Sequence, residues 1–460
     1  MTALEVSVFL SMVLLVLVVA GMRVAFATAL IGMVGLLAFF MMEKGMGFER
    51  AFTVTLKLAG QVPHSKTASH VLGLIPVFIL IGYLAYFAGM TRTLFEAAKR
   101  WFGWLPGGMA VATVSATAGF AAVSGASVAT SAVFARVAIP EMLALGYNKR
   151  FAAGVVAAGG TLASLIPPSA ILVIYAIITE SSVGRLLLAG FLPGIVSALI
   201  YMVMIMGMAK INPSLGPPRG GYTWGERLQS LPGAAPIMFV VFIIIYCIYF
   251  GWGTPTEAGA LGAFVVFLVA VAKGMRVKQL GQALLESAKL TAMIFTMIWG
   301  VLIFVRYLGF SGLPQSFAEF IGTLQQSPYI TLTLIIMAYV ILGMFMDAIG
   351  MLILTLPVTF PAVIALNGGP NVTAEASAFG LSGENCAIWF GIIVVKMAEL
   401  CLITPPIGLN CFVVAGVRPD ISAQDVFRGA SPYFVADVVT VAVLIAFPAI
   451  TLWLPNLLVS

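Results

Sequence analysis

Two polar clusters in this sequence each combine oxygen-bearing side chains with a proline pair. The first consists of Ser124-Gly125-Ala126-Ser127 and Thr130 and, further along, Ile166-Pro167-Pro168-Ser169. The second consists of Met346-Asp347-Ala348-Ile349-Gly350 and, further along, Thr404-Pro405-Pro406-Ile407-Gly408 with Asn410. Oxygen donors beside unwound backbone carbonyls are the ligands that coordinate sodium ions in membrane transporters. The two clusters therefore predict two cation sites.

Both proline pairs interrupt long apolar stretches. Proline lacks the backbone N–H and its ring clashes with the preceding turn, so each pair should break a helix. In lipid, a broken helix persists only where it is buried or lines a cavity. One kink or one hydroxyl is common and often serves only the backbone, but two breaks at corresponding positions in the two halves favour a transporter binding site. Half-helix N-termini beside the breaks would favour an anionic substrate group.

A few charged residues lie inside apolar segments, where a charge is costly and is a functional candidate by default. They are Arg136, Glu257, Arg306, Asp347, Lys396, Glu399 and Asp437. Lys396 and Glu399 are three residues apart, which predicts an ion pair on one helix turn. Glu257 follows Thr254-Pro255-Thr256, where a helix should begin, so it is expected to cap that helix. Arg306 and Asp347 remain candidates for substrate binding or gating.

The composition indicates a membrane protein. Of the 460 residues, 61% are hydrophobic and 9% are charged, far below the roughly 25% charged residues of a soluble domain. Runs of about 20 apolar residues, enough to span a bilayer, recur along the chain. The first run carries no basic residue ahead of it and no cleavage site, which predicts a retained helix rather than a signal peptide. The scattered basic residues do not indicate a nucleic-acid partner, and the four cysteines lack metal-ligand spacing.

The pattern of apolar runs predicts an all-α polytopic protein built from two inverted repeats of about five spans each. Full spans are expected near 4–20, 24–42, 71–90, 150–180, 186–209, 233–250, 256–272, 289–305, 385–412 and 431–457. The first repeat would cover 1–210, with a re-entrant hairpin at 106–145 and a broken helix at 150–180. The second would cover 233–460, with a re-entrant hairpin at 328–366 and a broken helix at 385–412. A cytoplasmic linker would join them at 211–232.

Loop charges predict the orientation of the chain. When alternate loops are assigned to opposite sides, most Lys and Arg residues fall together, including Arg92, Lys149 and Arg276. By the positive-inside rule that side is cytoplasmic, which places both termini in the periplasm of an inner-membrane protein. The stretch from Thr91 to Trp104 is amphipathic and is expected to lie along the membrane interface as an arm.

Several motifs resemble those of the large membrane subunit of tripartite ATP-independent periplasmic (TRAP) transporters. The resemblance rests on AAVSGASVATSAVFARVAIPEM, GYNKRFAAGVVAAGGTLASLIPPS and LAGFLPG between 121 and 195, then GWGTPTEAGA at 251–260, GMFMDAIGM at 343–351 and ELCLITPPIGLN at 399–410. It implies an elevator-type ion-transporter fold and sodium-coupled uptake, with no cofactor besides the coupling ions. It also implies two protein partners, a small four-helix membrane subunit and a soluble periplasmic substrate-binding protein. The small subunit is expected as a separate chain.

The same resemblance assigns site residues. The first sodium site would use Ser124, Gly125, Ser127, Gly160, Thr161, Ile166 and Pro168. The second would use Asp347, Gly350, Thr404, Pro405, Gly408 and Asn410. Substrate contacts are expected from Ser127, Thr130, Ser169, Arg306 and Asp347. This sequence departs from the family pattern at Ala163, where glycine is common, and at Arg306, which is not general to the family and could reflect substrate choice.

Two other functions were weighed. An intramembrane hydrolase would need a base beside its nucleophile, yet the only histidines, His64 and His70, are predicted on the periplasmic side, away from Ser124. The chain is therefore not expected to be an enzyme. A stand-alone cation-coupled anion carrier without a binding protein is the alternative to a TRAP subunit. Within either, C4-dicarboxylates, other organic acids and sugar acids all remain open as the small organic anion.

Overall fold

The chain is described here from a computed structural model that covers residues 3–67, 72–218, 221–323 and 326–457. In residues 3 and 63–67 only the backbone is described. The described part is built of α-helices joined by short loops and 3-10 turns. Eight of its helices are long and apolar enough to cross a membrane, which confirms an all-α polytopic membrane protein.

Within the described residues, the first half of the chain contains ten α-helices. They are α1 Ala3–Val19, α2 Val24–Met42, α3 Phe48–Thr67, α4 Leu74–Phe87, α5 Met90–Phe102, α6 Gly108–Ser124, α7 Ser127–Ala144, α8 Lys149–Thr161, α9 Ala170–Thr179 and α10 Val183–Ile211.

The second half also contains ten helices. They are α11 Trp224–Tyr249, α12 Pro255–Ala272, α13 Val277–Ser311, α14 Leu313–Thr323, α15 Pro328–Gly343, α16 Ala348–Asn367, α17 Gly383–Cys401, α18 Leu409–Val417, α19 Ala423–Ala446 and α20 Ala449–Asn456.

Helices α3, α11 and α13 differ most from the sequence expectation. The 20-residue α3 was not predicted as a helix, because its composition is too polar for a hydropathy search to find. Helix α13 has 35 residues and begins twelve residues before the predicted span, with an amphipathic first part. Helix α11 begins within the predicted linker 211–232, because Thr223 and Glu226 form a capping box at its start.

Both proline pairs break their helices as predicted. Helix α8 ends at Thr161, passes into a 3-10 turn at Leu162–Ser164, and the chain resumes a helix only at Ala170. Helix α17 ends at Cys401 and α18 begins at Leu409. The peptide bonds Pro167–Pro168 and Pro405–Pro406 are both cis.

The two predicted hairpin segments each form two helices separated by the polar centre. Helices α6 and α7 are separated by Gly125 and Ala126, and Gly125 is in the left-handed region with φ 57°. Helices α15 and α16 are separated by residues 344–347. We call residues 124–127 the first tip and residues 344–350 the second tip. The re-entrant insertion of these segments and the repeat symmetry stay predictions.

Two helix pairs approach backbone to backbone and join the halves of the chain. A Cβ atom on Gly154 of α8 would lie 2.1 Å from the carbonyl oxygen of Gly429 in α19. A Cβ atom on Gly300 of α13 would lie 2.1 Å from the carbonyl oxygen of Ala25 in α2. Both distances are shorter than real Cβ contacts, so only glycine permits these crossings. At these two crossings the backbones of the two halves are in direct contact.

The predicted amphipathic arm forms α5, which meets α4 at 71°. Its apolar residues Leu94, Phe95 and Ala98 are buried, and α5 packs against α6 and α11. This part of the apolar face is therefore covered by protein rather than by lipid.

Candidate functional site

The first tip packs directly against the first proline break. A Cβ atom on Gly125 would lie 2.3 Å from the carbonyl oxygen of Pro168, so the backbones of these two predicted sodium-site residues are in contact. The hydroxyls of Ser127 and Ser164 hydrogen-bond each other across the same interface. Ser164 was not predicted, although its position just before Ile166 and the proline pair was a signal for it. The contact gathers hydroxyl and backbone oxygens from both elements.

The other hydroxyls of the first cluster form hydrogen bonds with one another or with backbone groups near the first tip. The Ser124 and Thr130 hydroxyls are 2.9 Å apart and hydrogen-bond each other. The Ser169 hydroxyl caps α9 by accepting from the N–H of Leu172 at 3.3 Å, and it donates to the Ser164 carbonyl. All of these side chains are buried.

Gly160 and Thr161 lie at the end of α8 and contact other residues. A Cβ atom on Gly160 would lie 1.9 Å from the hydroxyl oxygen of Ser131 in α7, which places the glycine against the second arm of the first tip. The Thr161 hydroxyl donates to the Ala158 carbonyl at 2.8 Å and lies 3.5 Å from the Tyr201 hydroxyl. Ile166 is buried against α10, where Gly194 leaves room for it.

The second tip is held against the end of α17, next to the second break. A Cβ atom on Gly343 would lie 1.8 Å from the Cys401 sulfur. Asp347 is the N-cap of α16, and its carboxylate accepts the N–H of Gly350 at 3.3 Å. Thr404 donates its hydroxyl to the Leu400 carbonyl at 2.6 Å. The Asp347 carboxylate thus has a capping role, which satisfies one free N–H at the helix start.

Asn410 and Gly408 shape the second break. The Asn410 amide donates to the Ala157 carbonyl of α8 at 3.2 Å, which connects the second broken helix to the first. The Asn410 side-chain oxygen is fully buried without a hydrogen-bond partner. Gly408 has φ 34°, and a Cβ atom there would lie 2.2 Å from the Phe427 ring. The break therefore requires glycine at 408 and leaves the Asn410 oxygen available to a ligand.

A cavity of about 470 Å³ lies beside the first tip. Ser124 and Ala126 line one end, and Arg136, Gln282 and Glu286 are also in its wall. The rest of the lining comes from α4, α6 and α7, namely Ile79, Gly82, Tyr83, Tyr86, Phe87, Phe120, Ala129, Ala132 and Val133. Its volume is in the range of small-molecule sites. Arg136 was predicted only as an intramembrane charge and not as part of a site. Its neighbours in the cavity wall, Gln282 and Glu286, are on α13, which is distant in the sequence.

The five residues predicted to contact substrate lie outside the lining of this cavity. Ser127, Thr130 and Ser169 are buried beside the first tip, and Asp347 caps α16. Arg306 donates from Nη1 to the carbonyl oxygen of Leu58 in α3 at 3.1 Å. Their part in substrate binding stays a prediction. The hydrolase argument used His64 and His70, whose side chains lie outside the described residues.

Five fully buried polar side chains form a network that joins α10, α17 and α19. The Lys396 ammonium donates to Glu399 at 2.6 Å, as predicted, and also to Ser197 at 2.6 Å. It lies 2.7 Å from the Asp437 carboxylate, which accepts the Tyr201 hydroxyl at 2.5 Å. The contribution of Asp437 was missed, because the second break, α18 and the loop before α19 separate it from the pair in the sequence.

Ion pairs outside the membrane segments tie the two broken helices together at one end. Arg150, at the start of α8, donates to Asp425 in α19 at 2.6 Å. The Arg418 guanidinium donates to Asp420 and lowers the pKa of that carboxyl to about 2. Lys149 donates to the carbonyl of Asp420. The start of α8 is thereby bonded to the loop between α18 and α19.

The chain matches the sequence family described as tripartite ATP-independent periplasmic transporter, DctM component, over residues 11–450. The C4-dicarboxylate TRAP transporter large permease protein DctM of Pseudomonas aeruginosa is 36% identical over 83% of this chain and 85% of its own. The isethionate TRAP transporter permease protein DctMQ of Oleidesulfovibrio alaskensis is 30% identical over 81% of this chain and 57% of its own.

Comparison with solved structures also shows a similar fold. The crystal structure of the Alcanivorax borkumensis YdaH transporter aligns with a TM-score of 0.53, covering 86% of this chain and 89% of that one at 14% identity. Such low identity supports a shared fold alone. The sequence match covers nearly the whole chain, so this protein belongs to the family of DctM components of tripartite ATP-independent periplasmic transporters.

Proposed function

We propose that this chain is the large permease subunit of a sodium-coupled transporter that takes up a small organic anion by an elevator mechanism. The observation that carries the proposal is the contact of the first tip with the first proline break beside a cavity that contains Arg136. Interrupted helices of this kind hold coupling ions at their unwound carbonyls and substrate at their half-helix N-termini. The chain would act as a transporter and not as an enzyme.

Sodium is proposed as the coupling ion because the described side chains and carbonyls at both breaks offer oxygen atoms as ligands, and no thiolate or imidazole. At the first break the donors are the tip hydroxyls and the Pro168 carbonyl, which lies against Gly125. At the second break the buried Asn410 oxygen lacks a hydrogen-bond donor, and a buried polar atom in that state is stabilised by a cation. Carbonyl, amide and hydroxyl oxygens suit hard cations.

An anionic substrate is proposed because of the shape and charge of the cavity. One face of α7 lines it with small side chains, and Ala129, Ala132 and Arg136 recur at helical spacing. Arg136 is ten residues from Ala126, which corresponds to about 15 Å along the helix. An anion of that length or less could bind between the guanidinium and the first tip, because arginine pairs with carboxylate or sulfonate groups through two parallel N–H donors.

The proposed transporter has three parts. A soluble periplasmic protein would deliver the substrate, and a small four-helix membrane subunit, as a separate chain, would complete the complex in the bacterial inner membrane. The DctMQ name of the relative from Oleidesulfovibrio alaskensis supports the involvement of a second membrane component. Both termini of this chain would face the periplasm.

The experiment is uptake into proteoliposomes that contain the chain with its small subunit and binding protein. Replacing sodium by potassium or choline should abolish uptake. Undiminished uptake driven by a proton gradient alone would contradict sodium coupling. Uptake without the binding protein would favour a stand-alone carrier. Arg136→Gln should lower uptake at least tenfold, whereas Arg92→Gln, which removes a basic residue outside the cavity lining, is the control for charge loss.

A further inference from the structure

The buried network of Lys396, Glu399 and Asp437 contains two acidic groups and one basic group. The exposed fraction of all three side chains is 0%. If both carboxyls were ionised, the network would carry a net charge of minus one in the interior of a membrane protein. Burying an uncompensated charge is expensive, and in practice such groups neutralise.

The hydrogen bonds of the network leave this charge uncompensated. The ammonium of Lys396 has three N–H donors, and these are directed to Ser197, Glu399 and Asp437. The Tyr201 hydroxyl donates to the Asp437 oxygen that already contacts the ammonium. Glu399 Oε1 and Asp437 Oδ2 are buried without a hydrogen-bond partner. Each carboxyl therefore has one oxygen that no donor of the network reaches.

We propose that this network is a proton-binding site, in which one proton on Glu399 or Asp437 neutralises the third charge in the folded protein. A proton is favoured over a metal cation because of the ammonium. Any metal ion bound by the two free oxygens would lie close to the Lys396 charge, since each free oxygen belongs to a carboxyl that already contacts Nζ. A proton is covalently bound to one oxygen, so it removes the negative charge without adding a separate cation beside the ammonium.

Other titratable groups around α17 do not compensate the charge. Tyr201 and Tyr433 face the network from α10 and α19, and their rings pack edge to face at 5.0 Å. Other titratable groups on α17 and the helices packed against it include Tyr175, whose hydroxyl donates to Ala387, and Tyr339, whose hydroxyl bonds to Thr359. Arg185 and Glu384 pair at the start of α17, and Cys401 lies beside Asp347. Cys386 is on α17 as well, Tyr329 is on α15, Lys210 is towards the end of α10, and Asp425 and Arg428 are in the first turns of α19. Lys396 is thus the basic residue of the network.

The network lies close to both breaks, so loss of its proton would affect the helices on either side of them. Glu399 lies on the last turn of α17, shortly before the second break. Through Tyr201 the network reaches Thr161 at the end of α8, before the first break. Losing the proton would leave one carboxylate uncompensated between the two broken helices and weaken the packing of α17 on α10 and α19. This inference does not depend on sodium as the coupling ion.

Thermal unfolding of the full-length purified protein against pH tests the proposal. The folded protein would hold one more proton than the unfolded chain at neutral pH. Stability is therefore highest at acid pH and falls as pH rises through neutral to the alkaline value at which the folded carboxyl loses its proton. In sodium-free buffer the wild-type Tm should fall by a few degrees over that range. Glu399→Gln or Asp437→Asn, whichever replaces the protonated carboxyl, should keep the Tm measured at neutral pH and remove the fall of Tm at higher pH. Glu96→Gln, from a more exposed Lys–Glu pair with the same spacing outside the cavity, should leave the fall unchanged.

Infrared spectroscopy gives a second readout that does not rely on stability. The carbonyl band of a protonated carboxyl should be present at neutral pH and disappear in one of the two amide variants. A pH-dependent Tm that is unchanged in both variants would overturn the proposal. If neither variant folds, the infrared spectrum is measured on an Asp347→Asn variant that keeps Glu399 and Asp437 and lacks the Asp347 carboxyl. Absence of the protonated-carboxyl band at neutral pH in that variant would also overturn the proposal.

Discussion

Replacing Gly125 by alanine tests whether contact of the first tip with the first break forms a cation site. Alanine at φ 57° costs about 1–2 kcal/mol in backbone strain. Its Cβ would also lie 2.3 Å from the Pro168 oxygen, about 0.7 Å inside the 3.0 Å that real contacts respect. The tip or the break must therefore move by more than the roughly 0.2 Å that coordinating distances tolerate. The sodium concentration for half-maximal uptake should rise at least tenfold, or about 1.4 kcal/mol.

The matched control is Gly146→Ala. Gly146 has φ 82° and nothing within 4 Å of the added Cβ, so this variant experiences the backbone strain without the collision. Gly146→Ala should lose only the thermal stability that the backbone strain costs, Gly125→Ala should lose more because of the added collision, and only Gly125→Ala should lose sodium affinity. Sodium-dependent uptake in proteoliposomes and sodium-dependent stabilisation of the purified protein measure the difference. Equal sodium affinity in the two variants would refute the argument that this contact builds the site.

Three further predictions concern binding and topology. Ser127→Ala removes one hydroxyl hydrogen bond, roughly 1 kcal/mol, and should raise the half-maximal sodium concentration about fivefold in the same uptake assay; an unchanged value would make that hydroxyl structural. Arg306→Lys keeps the charge but loses the planar guanidinium, so uptake should fall at least tenfold at normal protein level, whereas wild-type uptake would limit Arg306 to bonding the Leu58 carbonyl. Because the native cysteines are buried, impermeant thiol reagents should label a single cysteine at Asn371 from outside intact cells and not one at Lys278; the reverse would contradict the predicted orientation.

The sequence predicted the elements whose cause is local. A proline pair breaks its own helix, so both breaks were correctly located. Thr254 and Glu257 lie three residues apart at a helix start, and the predicted cap is present as a capping box. The Lys396–Glu399 pair was also confirmed, because two residues at that spacing share one turn of a helix.

Features that depend on the tertiary fold were not found from the sequence. The cavity is lined by both α7 and α13, and the sequence around Arg136 or Glu286 gives no indication that these two residues lie near the same cavity. Asp437 joins the Lys396 pair across two helices for the same reason. Helix α3 escaped detection because hydropathy finds spans and not polar helices. Assignment of the sodium-site residues rests on family resemblance and stays a prediction.

The crossing of Gly154 with Gly429 has a consequence for how the protein is made. More than half of the chain separates these two glycines, so α8 is synthesised long before α19. At translation rates of about 5–20 residues per second, that interval lasts on the order of tens of seconds. During this time the small-residue face of α8 has no α19 backbone to pack against and is open to lipid or to a chaperone. Assembly of the nascent chain must therefore finish after the ribosome has completed α19.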